Sequence, residues 1–235
     1  MDIAEVSQQL VRAIDLFGVV ANVLLAGVLA RSLGYDAVGF LFLGIITGLG
    51  GGMLRDTLLQ NGPPVGLTDP AYLGTAVVTS LVAYFVLTEG RWWRRSLRVI
   101  DAVALGAWGA VGAQKTLAAG MGWMPAILLG TVTAVGGGVI RDVLVRRTPI
   151  IFGGGTLYAT CATVAAIVTV FLYGATPDGW DGVTTLVAAL VGGTMCLLAY
   201  ARGWRLPEAR AWSPWPRRGQ GDHDHHNDQD NRDQD

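Results

Sequence analysis

One pattern constrains this chain more than any other: three consecutive glycines followed by an adjacent cation and anion, placed in the middle of an apolar run, and present twice. The copies are Thr47-Gly48-Leu49-Gly50-Gly51-Gly52-Met53-Leu54-Arg55-Asp56 and Thr133-Ala134-Val135-Gly136-Gly137-Gly138-Val139-Ile140-Arg141-Asp142. Glycine costs roughly 1 kcal/mol per residue in a helix relative to alanine, and an ionisable group in hydrocarbon costs several more. A sequence that carries both costs at matching places points to a path through a membrane.

Sliding the chain against itself by about 86 residues, the separation of Arg55 and Arg141, aligns three apolar runs with the next three without a gap. Asp15 then meets Asp101, Gly34 meets Gly120, Gly44 meets Gly130, Pro63 meets Pro149, Tyr72 meets Tyr158 and Phe85 meets Phe171. Glycine-rich helices match one another easily, but a register that also holds Asp, Arg, Pro and aromatic residues marks a true repeat. A unit of three spans is odd, so the second copy must be inverted relative to the first. Inverted repeats are a common plan for pathways whose site lies near the bilayer midplane.

Composition fixes the class. Of 235 residues 51% are hydrophobic and only 15% charged, and the mean hydropathy is +0.43. The charges crowd into short segments and the C-terminal tail, leaving apolar runs of roughly 20 residues that match a hydrocarbon core of about 30 Å. The fold class expected is an all-α polytopic membrane protein, with spans near 11–33, 37–60, 71–88, 97–120, 123–146, 156–174 and 182–201. The organisation is an N-terminal extracytoplasmic segment (1–10), a first three-helix repeat (11–90), a second, inverted one (91–175), a seventh helix (176–203) and a disordered tail (204–235). Asp2 and Glu5 without a basic n-region argue that the first span is retained. The net charge of -1 supports no nucleic-acid partner.

Arginine bias sets the expected orientation. Arg31, Arg91, Arg94, Arg95, Arg98, Arg146, Arg147, Arg202, Arg205 and Arg210 fall on one side, which should be cytoplasmic, leaving the N-terminus outside. Trp92, Trp93, Trp123, Trp180 and Trp204 fall at span ends, as interfacial anchors do. Gly153-Gly154-Gly155 reads as a turn. The tail, with His223, His225 and His226 among aspartates, reads as a solubilising segment, and no metal site is expected. Cys161 and Cys196 fall inside spans and read as packed thiols.

The polar groups within the spans are the candidate site. Close helix packing needs small residues three or four apart, whereas Gly50, Gly51 and Gly52, like Gly136, Gly137 and Gly138, cover nearly every direction around the helix. They are expected to kink or break the second and fifth spans, exposing backbone to a wet path. Arg55 lies roughly 6 Å from the midplane on one side and Arg141 correspondingly on the other, at 1.5 Å per residue. A cross-repeat bridge between the motif charges, such as Arg55 to Asp142, is therefore not expected. The expected pairs are Asp15 with Arg55 and Asp101 with Arg141, against the plainer reading that Asp56 and Asp142 neutralise their own neighbours. Lys115 corresponds to Leu29 in the first repeat, so the symmetric scaffold does not require it. It is the gate candidate, with snorkelling to the interface as the alternative. Asn22, Thr47, Gln114 and Thr133 are further pathway candidates. No Ser/His, Cys/His or metal-ligand cluster lies in the spans, so neither an enzyme nor a cofactor is expected.

The doubled Gly-Gly-Gly-x-x-Arg-Asp motif, the inverted three-plus-three repeat and the seventh span resemble the trimeric intracellular cation (TRIC) channel family in its prokaryotic branch, over roughly residues 10–203. The resemblance implies a homotrimer in the prokaryotic inner membrane, in contact with its lipids. Each subunit would carry its own pore for potassium and sodium, shaped by glycine kinks in the second and fifth helices. The basic motif of the animal channels is not found in the fifth helix. The alternative is an alternating-access carrier of a small zwitterion such as glycine, since related bacterial sequences are described in those terms.

Overall fold

The computed structural model describes residues 2–86, 91–152, 157–177 and 179–204, without the side chains of residues 91–94. Gly153-Gly154-Gly155, the side chains of Arg91, Trp92, Trp93 and Arg94, and the tail from residue 205 lie outside the described residues. Among those described the chain forms α1 (Ile3–Ser32), α2 (Ala37–Leu59), the short α3 (Val65–Thr68), α4 (Pro70–Val86), α5 (Arg91–Ala118), α6 (Trp123–Leu144), a single 3-10 turn (Ile150–Phe152), α7 (Tyr158–Ala175) and α8 (Asp181–Arg202). Six of the helices are long and apolar enough to cross a membrane, and the 17-residue α4 is a shorter apolar helix beside them. The fold is all-α, with α1, α2 and α4 as one repeat, α5, α6 and α7 as its inverted copy, and α8 as the seventh helix.

Three boundaries differ from expectation, one of them the start of α5 at Arg91, six residues early. Helix α1 begins at Ile3, eight residues early, and its extra turns find a partner: the backbone N–H of Gly182 donates to Ser7 Oγ at 2.6 Å. The loop after α2 coils into α3 before α4 starts, with Asp56 Oδ2 accepting from the Val65 N–H at 2.9 Å.

The repeat extends to the backbone. Gly34 and Gly120 take positive φ (69° and 79°) just past α1 and α5, the left-handed conformation glycine adopts most readily. Gln60 and Arg146, the two non-glycine residues with positive φ among those described, are also repeat partners, at 52° and 57°. Two unrelated side chains share an uncommon conformation there because the register of the fold imposes it.

Helix α5 is the hub, packed against α1, α6, α7 and α8. Its small residues admit close neighbours: a Cβ on Gly109 would press on the Ala162 backbone, and one on Gly112 on Gly130 and Thr133. Lipid tails are as apolar as the helix faces, so such contacts supply much of the association energy within the bilayer. Trp108 fills the centre at 1% exposure and stacks over Gly18 of α1. Trp123, Trp180 and Trp204 are exposed at helix ends.

Candidate functional site

The floor of the site is the crossing of α2 and α6. A Cβ on Gly51 would strike the Thr133 carbonyl oxygen, and one on Gly137 the Thr47 carbonyl oxygen, so the helices touch backbone to backbone. The threonine hydroxyls turn back onto their own helices, Thr47 donating to Leu43 O at 2.7 Å and Thr133 to Leu129 O at 2.6 Å. Gly50 and Gly136 face Ile140 and Leu54, whereas Gly52 and Gly138 have only an arginine nitrogen within 4 Å, at 3.8 Å. Both helices run through the motif as uninterrupted α-helix, which corrects the expected break. The intrinsic cost of glycine is offset by packing, and each hydrogen-bond ladder survives.

On one side of this floor a buried ion cluster gathers four helices. Asp15 of α1, 3% exposed, accepts through Oδ2 from Lys115 Nζ at 2.6 Å and Tyr72 OH at 3.0 Å, and Arg55 Nη1 lies 4.0 Å from the same oxygen. Arg55 turns Nε and Nη2 towards Asp56 Oδ1, both at 2.7 Å, leaving the buried Nη1 without a hydrogen bond. Trp108 Nε1 donates to the Asp15 carbonyl at 3.2 Å, and the Lys115 ammonium stands 5.8 Å from the Tyr72 ring centre.

The other side repeats part of this arrangement. Arg141 binds Asp142 through Nε at 2.9 Å and Nη2 at 2.8 Å. Tyr158 donates to Asp101 Oδ1 at 2.9 Å, as Tyr72 does to Asp15, but the second donor is Tyr200 of α8, to Oδ2 at 2.9 Å. The expected Asp101–Arg141 pair is not formed. Arg141 is committed to Asp142, and two phenols satisfy Asp101 instead. In the first cluster the Asp15–Arg55 contact is present at the limit of an ion pair, but Lys115 is the closer partner.

A vestibule leads to each cluster. The first, about 360 Å3, is lined by Gln8, Arg12, Asp69, Tyr72, Gln114 and Lys115 among others. The second, about 340 Å3, includes Leu29, Asp101, Arg141, Asp142, Arg147 and Tyr158. Helix α1 spans from one to the other, Gln8 in the first and Ser32 in the second, so they open at opposite ends of the fold. Next to the first, around Arg55, Gly48 and Trp108, lies a separate small cavity with about 10 Å3 of free space.

The Lys115 side chain folds onto Asp15 instead of reaching for the interface, a pairing that the sequence alone did not indicate. Gln114 lines the first vestibule. Asn22 is buried and donates to Gly18 O at 3.2 Å. Tyr72, Tyr158 and Tyr200 were missed as site residues. The first two carried a signal, their recurrence in the repeat register. Tyr200 lies on the unrepeated α8 and carried none.

A family model described as glycine transporter matches residues 12–88 and again residues 98–174, one match per repeat. The UPF0126 inner membrane protein YadS of Escherichia coli K12 is 37% identical over 160 residues, covering 68% of this chain and 77% of that protein. Among solved structures, a TRIC cation channel shares 31% identity with a TM-score of 0.75, over 84% of this chain and 96% of that one. The TRIC orthologue from Rhodobacter sphaeroides shares 27% with a TM-score of 0.75, over 82% of this chain and 98% of that one.

Proposed function

We propose that this chain, which belongs to the prokaryotic TRIC family, is a channel for potassium and sodium with one pore in each subunit of a homotrimer. The pore runs from the first vestibule past the α2–α6 crossing into the second. Gly50, Gly51, Gly52, Gly136, Gly137 and Gly138 let the helices flex there, and Thr47, Thr133 and Asn22 meet the path when it opens. The N-terminus and the first vestibule face outward, and the second vestibule faces the cytoplasm. Lys115 is the gate: its ammonium closes the first vestibule by binding Asp15 and leaves when the field draws it away.

The observation that carries this reading is the charge balance along the path. Lys115, Arg55 and Arg141 are each held by a carboxylate, Asp15, Asp56 and Asp142 respectively. Asp101 is a fourth carboxylate, set among phenols. With Arg12, Arg147, Asp69 and Asp181 of the vestibule walls, five cations stand against six carboxylates, an excess of one negative charge that favours cations in a low-dielectric channel. Homotrimeric assembly rests on similarity to the TRIC structures.

One observation favours a second reading, transport of a small zwitterion such as glycine: the two vestibules are distinct and open at opposite ends of the fold, as alternating access requires. Proteoliposomes separate the two. A channel releases potassium down its gradient at rates far above carrier turnover, without added glycine. Saturable glycine uptake with no such release would replace the channel with the carrier.

A further inference from the structure

The two carboxylates at the heart of the repeat meet their vestibules differently. Asp15 is covered by the Lys115 ammonium at 2.6 Å and takes no part in lining the first vestibule. In the inverted copy Leu29 stands where Lys115 would be, and the second vestibule opens directly on Asp101. Among the described residues no ion pair reaches Asp101.

We propose that the second vestibule ends in a binding site for a monovalent cation, formed by the Asp101 carboxylate and the Tyr158 hydroxyl, at the place that the Lys115 ammonium takes in the other half. The first half thus carries a tethered cation and the second an exchangeable one. This deepens the channel reading and rests on it for the physiological ion.

Four points support the site. An ammonium is a compact unit charge, so its docking on Asp15 shows what the repeated carboxylate–phenol pair accepts. Tyr158 spends its proton on Asp101 Oδ1, and its oxygen keeps lone pairs that can face a cation. A neighbouring arginine does not forbid occupancy: Arg55 stands 4.0 Å from the oxygen that holds Lys115, while Arg141 is engaged by Asp142 at 2.8 Å. A cavity of about 340 Å3 leaves room for an ion with several waters, and Ser32 and Thr148 add hydroxyls to its wall. Arg147 also lines it and would oppose the ion in proportion to its approach.

The test measures thermal unfolding of the full-length protein in detergent, with potassium chloride exchanged for choline chloride at constant ionic strength and chloride. The wild type should gain about 3–6 °C in potassium. Asp101→Asn and Leu29→Lys should lose the gain, the second because a tethered ammonium fills the site, while Leu29→Met keeps it. Radioactive rubidium binding to the same proteins gives a second readout, with one site per chain expected in wild type and none in Asp101→Asn. If either variant fails to fold, wild-type rubidium binding still decides. No potassium-dependent gain and no rubidium binding in wild type, a gain that follows pH alone, or a gain retained in Asp101→Asn would each overturn the site. Conduction by a wild type that binds no rubidium leaves the channel reading intact, and binding without conduction removes that reading but not the site.

Discussion

Lys115 Nζ lies 2.6 Å from Asp15 Oδ2, joining two residues 100 positions apart across the two repeats. Asp15 is almost fully buried, whereas the lysine side chain keeps 24% of its surface exposed to the first vestibule. The lysine can therefore leave for water, and the aspartate cannot.

That asymmetry gives the first prediction. Lys115→Met leaves the buried carboxylate with the Tyr72 hydroxyl and an Arg55 nitrogen 4.0 Å away, and should cost about 3–5 kcal/mol in stability. Asp15→Asn should cost less, because the freed ammonium turns into the vestibule. The double variant should recover most of the loss. Unfolding of the three proteins in detergent checks the order, and a costlier Asp15→Asn would contradict it.

The same pair is the proposed gate. Lys115→Ala should raise open probability and reduce its voltage dependence, since one charge crossing the whole field is worth about 2.3 kcal/mol per 100 mV. Single-channel recording measures both quantities. Wild-type gating in the variant would leave Lys115 a purely structural ion.

The glycine triads should not respond uniformly. Gly51→Ala and Gly137→Ala drive a methyl into the carbonyls of Thr133 and Thr47 and should cost about 1–3 kcal/mol each, as overpacking does. Gly52→Ala and Gly138→Ala meet only an arginine nitrogen at 3.8 Å and should be neutral or stabilising by up to about 1 kcal/mol from helix propensity. Equal losses at all four positions would argue against the crossing described.

The tyrosines separate the two halves. Among the described residues Asp101 takes its side-chain hydrogen bonds from Tyr158 and Tyr200, so Tyr158→Phe or Tyr200→Phe should cost about 1–2 kcal/mol, and Tyr72→Phe less because Lys115 still holds Asp15. Unfolding curves of the three variants test the ranking.

Much of this was legible from the sequence because a repeat doubles every signal. Asp15, Arg55 and Tyr72 each had a partner in register, so the three-plus-three fold and the level of each charge could be read. What escaped was side-chain choice among competing partners. Arg141 could reach Asp101 or Asp142, and the adjacent Asp142, whose use restricts fewer torsions, took it. The glycine triads look like breaks when each helix is read alone. Only the approach of α2 to α6, a contact between residues far apart in the chain, turns them into a crossing. Tyr200, on the unrepeated α8, had no copy to announce it.

The central claim is that the path between the two vestibules conducts cations, and a reversal potential measures it most directly. In planar bilayers holding the purified protein between unequal potassium chloride solutions, unitary currents should reverse near the potassium equilibrium potential. Reversal near the chloride potential, or no unitary events, would contradict the account.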